Sequence, residues 1–489
     1  MNFHYINTIE KRKTADLLVL PFVKGKKGVE LASFEKIDPF FATPIEMKDF
    51  NGNEGELISL YPLEQPEQRC LLLGLGDIAK LTVEKLRRSY SLLAKHCQKF
   101  KLSKINLLVP ELDQLDENQI VQGVVEGLTL TNYVFDLKGE KKEETTLIED
   151  VFLIHPSKGI LNTAEKYFTI AEGVYFARDL VNGNADDINP QYLCQVAIGL
   201  EKHFPQVKTT IFDKKRLEKE GMGLLLAVNR GSSSEPALMI IEYKGNPKSK
   251  DKTVLVGKGI TYDTGGLNIK VSNMETMKGD MGGAAAVMGT IFTAASLGLK
   301  VNVTALVPST ENAISSTSYK PGDIYQSYSG KTVEIGNTDA EGRLILADAL
   351  TYAVEHLQPT RIIDLATLTG AMIIALGTET IGLFSNNDVL ADELYRSGAS
   401  TYERVWRMPL FEEYRDQLKS DFADIRNIGG RAAGSITAAM FLQEFVGNVP
   451  WAHLDIAGTA YLEDGAKRYN PKYGTGSGVR LLIDFLEKL

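Results

Sequence analysis

Four carboxylates stand where apolar runs give way to helical ones: Asp263 in "YDTGG", Asp280 in "METMKGDMGG", and Asp339 and Glu341 in "NTDAEGRL". Lys258 sits between two glycines just before the first of them, and Lys270 follows it. If the four acids converge in one cleft they cannot all ionise unaided, because like charges a few ångströms apart raise each other's pKa. Two divalent cations would balance them, and a metal pair offers a water nucleophile and two Lewis acids. A donor set dominated by oxygen accepts Zn²⁺, Mn²⁺, Mg²⁺ or Co²⁺. The six histidines are scattered with no HExxH, which sets aside an ordinary histidine zinc site; His453 is read as a structural histidine. Each acid also has a plain structural reading. Asp280 would be the N-cap of the small-residue helix after it. Thr338 to Glu341 fits a capping box, in which the Thr side chain accepts from a first-turn N–H and the Glu reaches back.

The elements that must position these residues alternate along the chain. Up to about residue 155, β-rich runs ("ADLLVLPF", "RCLLLGLG", "KINLLVP", "VFLIH") alternate with helical stretches such as Val83–Lys99, an α/β pattern. The charged stretch Lys138–Asp150 reads as a solvated loop, and Asn162–Val181 as a connecting helix. Beyond it come the strand "TVLVGKG", a small-residue helix, the strand "VNVTALVP", a helix after Thr338 with Leu346, Leu350, Ala353 and Leu357 at helical spacing, and the strand "RIIDLATLTG". A chain of 489 residues exceeds what one core usually organises, so two α/β domains are expected, at 1–160 and 161–489. The candidate acids fall at strand ends, where open α/β sheets gather ligands.

Composition narrows the function. A net charge of −9 argues against broad binding to nucleic acid. Three cysteines far apart in sequence suit free thiols in a reducing compartment, and the chain is read as cytoplasmic. Met281–Leu299 carries no charge over 19 residues, near a bilayer span. Its Gly, Ala, Ser and Thr content fits a helix packed tightly inside the protein better. "GSSS" lacks the G-x-S-x-G elbow of serine hydrolases. "GLGDIA" at Gly74–Ala79 matches G-x-G-x-x-A without the acid about twenty residues on that a dinucleotide site wants, and reads as a strand-to-helix turn.

Taken together, the motifs resemble the leucyl aminopeptidase (cytosol aminopeptidase) family of bacterial type. "NTDAEGRL" is similar to its signature, and "VGKGITYDTGG", "KPGDIY", "ATLTGA", "NIGGRAAGSITAAMFL" and "WAHLDIAGTA" follow in the family's order. The resemblance implies a small macro-like α/β domain, then a larger α/β peptidase domain on a mixed sheet, assembled as a homohexamer. It implies two metals, Mn²⁺ or Zn²⁺, held by Lys258, Asp263, Asp280, Asp339 and Glu341. Lys270 would polarise the scissile carbonyl, and Arg343 would hold a bicarbonate acting as general base. Met277, Asn337, Thr367, Leu368, Gly370 and Ala457 would bind the substrate, an N-terminal peptide residue such as Leu or Met. Val271 stands where many members carry proline, and the stretch from Lys270 to Asp280 is one residue shorter. Two other classes stay open on sequence: a DNA-binding or regulatory hexamer, and a two-metal phosphoesterase or amidase.

Overall fold

Runs such as "ADLLVLPF" are apolar at consecutive positions because both faces are covered, the pattern of inner strands in a parallel sheet. The computed structural model describes every residue except 34–38, 64, 136–144, 464 and 466. In it the chain forms two units, Met1–Ala171 with Ala466–Pro471, and Glu172–Gly465 with Lys472–Leu489. The division falls inside the helix Ile160–Asn182, the expected connector.

The first unit is built on β1 (Asn2–Ile6), β2 (Ala15–Gly25), β3 (Gly28–Leu31), β4 (Leu57–Leu60), β5 (Glu67–Asp77), β6 (Lys104–Leu108) and β7 (Asp150–Ile154). They run in the order β1-β7-β6-β2-β5-β4, with β3 paired to β2. The interior pairs are parallel, and β3 and β4 add antiparallel edges. The helices Val83–Phe100 and Glu117–Thr131 bury Leu86, Leu93, Val124 and Leu128 against this sheet. "GLGDIA" carries the chain from a strand into a short helical turn, with Asp77 accepting from the Ala79 N–H. Gly74 and Gly76 lie within β5, which ends in a single short turn, Ile78–Lys80. The charged stretch Lys138–Asp150 lies outside the described residues up to position 144, and its last residue opens β7.

The second unit carries β8 (Val207–Phe212), β9 (Ala237–Lys244), β10 (Thr253–Gly257), β11 (Gly259–Asp263), β12 (Asn302–Asn312), β13 (Ile324–Gln326), β14 (Thr332–Glu334), β15 (Arg361–Ala366), β16 (Ile381–Ser385), β17 (Val405–Arg407), β18 (Ile425–Arg426) and β19 (Trp451–Asp455). Its main sheet runs β17-β16-β19-β15-β10-β12-β9-β8, with β11 on β12. The centre is parallel (β19, β15, β10, β12), and β9 and β16 join it antiparallel, so the sheet is mixed. A separate small sheet joins β13, β14 and β18. This is the pairing of a smaller and a larger α/β unit that the resemblance implies.

The uncharged stretch becomes the helix Gly282–Leu297, buried along most of its length. Its small residues are dictated by contact: a Cβ at Gly283 would come within 2.1 Å of the Leu365 carbonyl oxygen. Among the described residues no helix is long and apolar enough to cross a membrane. Asp280 does not cap this helix; Met281 holds that place, and no side chain caps it.

The helix after Thr338 begins at Gly342, with Leu344, Leu346, Leu350 and Ala353 fully buried. Each such leucine contributes about 1.5–3 kcal/mol of burial. The capping box is absent. Glu341 is the residue before the helix, and no side chain caps it. Thr338 turns away instead: its hydroxyl donates to the Gly265 carbonyl at 2.7 Å and accepts from the Asn268 N–H at 2.9 Å. The two residues that should have closed a helix end serve different neighbours.

Candidate metal centre

The carboxyl ends of β10, β15 and β19 lie side by side in the second unit, and the candidate residues emerge from them. Lys258 follows β10, Asp263 ends β11, Thr367 and Leu368 follow β15, and Ala457 follows β19. Asp280 comes from the short turn before the small-residue helix, and Asp339 and Glu341 from the loop before Gly342–Leu357. Together they line a cleft of about 480 Å³, with Lys270, Met277 and Gly370. The structure thus brings together Lys258, Asp263, Lys270, Met277, Asp280, Asp339, Glu341, Thr367, Leu368, Gly370 and Ala457. Arg343 and Asn337 do not line the cleft. Arg343 is buried behind it, and Asn337 accepts the Asp339 N–H at 2.7 Å.

The acids are paired with ammonium groups two by two. Lys258 Nζ lies 2.7 Å from Asp280 and 2.9 Å from Glu341. Lys270 Nζ lies 2.8 Å from Asp263 and 2.5 Å from Asp339. Four carboxylates against two ammonium groups leave the cluster short of positive charge, and burial weighs on the charged acids as well. Burial pushes the Asp280 carboxyl up to about 8 despite Lys258 beside it. Burial, with Glu341 and Asp263 nearby, pushes Asp339 up to about 6. Asp263 is raised by burial and by Glu341. Only Glu341 falls below its ordinary value; burial opposes this, but Lys258 and Lys270 outweigh it. Burial would lower both lysines, yet the surrounding carboxylates hold each above the ordinary range.

One oxygen from each of Asp263, Asp339 and Glu341 lies within 4.8 Å of the others, the spacing of ligands around one cation. This oxygen cluster, short of positive charge, fits a divalent metal. Gly342 keeps it open to Lys258, since a Cβ there would meet the lysine Cε at 2.4 Å.

Polar side chains that the sequence reading passed over hold these loops. Asn312 donates to Asp263 at 2.8 Å and to the Thr338 carbonyl at 3.0 Å. Asn427 accepts the Gly336 N–H at 2.7 Å, donates to the Asn337 carbonyl at 2.7 Å, and offers its own carbonyl to Arg343 at 2.8 Å. Arg343 Nε is buried without a partner among the described residues, and burial first of all lowers the guanidinium to about 10. Asp455 accepts from the Leu368 and Ala457 N–H groups and from the Thr369 hydroxyl, tying the loops after β15 and β19 together. Asn427 and Asp455 fall inside the quoted motifs, which was the available signal; Asn312 carried none. His453 is fully buried, with Nδ1 2.6 Å from Asp364 and Nε2 without a partner among the described residues.

Residues 175–483 match the catalytic domain of the cytosol aminopeptidase family, and residues 19–141 its N-terminal domain. The chain is 54% identical to a probable cytosol aminopeptidase of Protochlamydia amoebophila, over 100% of this chain and 99% of that one. It is 46% identical to one of Chlamydia abortus, over 99% of both. Among solved structures it is similar to the bottromycin maturation enzyme BotP, with a TM-score of 0.85, 30% identity and coverage of 97% of this chain and 99% of that one. The same enzyme in complex with Mn matches with a TM-score of 0.84 and the same identity and coverage.

Proposed function

The chain belongs to the cytosol aminopeptidase family and is a leucyl-type metallo-aminopeptidase, and on that premise we propose how its cleft handles a peptide. Lys258, Asp263, Asp280, Asp339 and Glu341 would hold two divalent cations, Mn²⁺ or Zn²⁺, with Mg²⁺ or Co²⁺ acceptable to the same donors. The similar structure in complex with Mn supports manganese. Bound there, the cations supply Lewis acidity and a water ionised near neutral pH. Lys258 enters that ligand set as the neutral amine, its proton displaced by the adjacent positive charge.

Lys270 keeps its proton. Released from Asp263 and Asp339, its ammonium donates to the scissile carbonyl oxygen and stabilises the charge that grows there. Arg343, whose buried Nε lacks a partner, offers the donor for a bicarbonate, the general base in this reading. Met277, Thr367, Gly370 and Ala457 shape the pocket for the first side chain, and Asn337 acts on substrate binding from outside the cleft, through the Asp339 N–H that it accepts. The Leu368 N–H is committed to Asp455, so its carbonyl is the group left to orient the peptide. A pocket of this kind favours Leu or Met by burial at about 1–3 kcal/mol per methylene, so specificity is broad. A free α-amine at the centre makes the enzyme an exopeptidase. The reading includes a cytoplasmic homohexamer, and an active species sedimenting as a monomer would remove that part.

The observation that carries the proposal is the convergence of four carboxylates and two lysines in one cleft at parallel strand ends. The test is release of p-nitroaniline from leucine-p-nitroanilide with Mn²⁺ supplied. We expect activity that disappears with chelator, with an N-acetylated substrate and in Asp339→Asn. Activity indifferent to all three would overturn the reading.

A further inference from the structure

Thr367 lines the cleft just past the end of β15, and both of its oxygens are bonded to residues of the metal centre. Its hydroxyl donates to Asp280 Oδ1 at 2.7 Å, and its carbonyl accepts from Lys258 Nζ at 3.0 Å. Met277, Gly370 and Ala457, read with it as shaping the pocket, have no side-chain donor to offer an acid. Thr369, two residues on in the same wall, turns its hydroxyl to Asp455 instead. Asp280 has particular need of such a partner. Asp263, Asp339 and Glu341 bring oxygens within 4.8 Å of one another, and Asp280 stands outside that trio, at the end of the short turn Met274–Gly279. Lys258 Nζ lies 2.7 Å from both Asp280 oxygens but donates only to Oδ1. Oδ2 is buried and accepts no hydrogen bond among the described residues. One oxygen is thus held twice, and the other is a free acceptor. Lys258 is itself a proposed ligand, so a cation competes for it. The Thr367 hydroxyl has no such rival.

We propose that Thr367 is a positioning residue for the metal centre. Its hydroxyl fixes Asp280 through Oδ1 and leaves Oδ2 for a cation, so a residue of the pocket wall also sets how tightly the centre binds its metal. Hydrogen bonds to a ligating carboxylate orient it in this way. The inference rests on the two-cation reading of the cleft and adds to it a role for a residue assigned there to the substrate alone.

The test measures Mn²⁺ affinity by chelator competition in the full-length protein and in T367V, T367A and T367S, with urea unfolding of each metal-free form to verify the fold. Valine keeps the shape of threonine and alanine frees its space. The loss of the hydroxyl is therefore read twice, and either variant suffices should the other not fold. Both are expected to bind Mn²⁺ about 10- to 100-fold more weakly, the range for a group that orients a metal ligand. T367S, which restores the hydroxyl, is expected to keep nearly the wild-type affinity. Unchanged affinity in T367V and T367A would overturn the inference, and so would a loss in T367S equal to theirs. A wild type that binds no Mn²⁺ would overturn the metal-centre reading, and this inference with it. A wild type that binds Mn²⁺ but releases nothing from leucine-p-nitroanilide would overturn the account of how the cleft handles a peptide, while the affinity series still decides the role of Thr367.

Discussion

Both units bury charge, but they balance it differently. In the first, Arg87 Nε lies 2.5 Å from Glu126, and Glu84 lies within 4 Å of Arg87, Arg88 and Arg468, so no acid of this cluster lacks a base. Arg12 pairs with Glu67 at 3.0 Å, and the same carboxylate accepts from Asn106. In the second unit four carboxylates face two lysines, and Asp280 is driven up to about 8, chiefly by burial. Charge buried for architecture is matched where it stands. Charge gathered in the cleft is left short of positive partners, the condition that favours a divalent cation.

The largest test of this contrast removes one charge from each kind of cluster. Glu126→Gln takes from Arg87 its nearer carboxylate, leaving Glu84 at 3.6 Å, and is expected to cost about 3 kcal/mol, because a buried guanidinium is then left with the weaker of its two ion pairs. Urea unfolding of the metal-free protein reads it. Asp280→Asn in the same protein is expected to cost far less, since acid is in surplus there. Equal losses would break the comparison.

Next in size is Arg343→Met, which removes the buried donor behind the cleft. It is expected to lower kcat about 100-fold, roughly 2.7 kcal/mol, with KM little changed. A change confined to KM would move Arg343 out of the reaction and into substrate binding.

The proton balance gives a third test. Asp280 and Asp339 keep protons to about 8 and about 6 in the folded metal-free protein, chiefly through burial, whereas unfolded carboxylates ionise near 4. Folding therefore takes up protons between these values, and the metal-free second unit loses stability as pH rises through them. Metal binding releases those protons. Apparent Mn²⁺ affinity should rise about tenfold per pH unit for each proton displaced, most steeply below pH 8, with the Lys258 proton alone sustaining the rise above it. A rise of no more than about tenfold per pH unit from pH 6 to 8, measured by competition with a chelator, would show that the acids are already ionised and only Lys258 gives up a proton.

The smallest effect falls on the loop. Thr338→Val deletes a hydroxyl that serves Gly265 and Asn268, at about 1 kcal/mol. Because that loop carries Asp339, metal affinity should drop with stability. An effect on stability alone would mean that the loop keeps its place without the hydroxyl.

Thr338 also shows where sequence was legible and where it was not. The β-rich runs, the connecting helix and the helix with Leu346 and Leu350 could be read because periodic burial leaves a local record. So could the placement of four acids between strands and helices, Asp263 ending a strand and the other three preceding helices. The direction of each side chain could not, because it depends on partners remote in sequence. Thr338 and Glu341 have the spacing of a capping box, yet their partners are Gly265 and Asn268 for one and Lys258 for the other. Asn312 sits in a strand with nothing local to distinguish it, and only the pairing of β11 with β12 brings it to Asp263. The return of Ala466–Pro471 to the first unit left no compositional trace either.

The lysine pairs have a consequence for how the cleft keeps its shape. Lys258 ties the turn that carries Asp280 to the loop that carries Glu341, and Lys270 ties the end of β11 to the loop that carries Asp339. Segments remote in sequence are thereby pinned crosswise by charge, so the loss of either ammonium would loosen two of them at once.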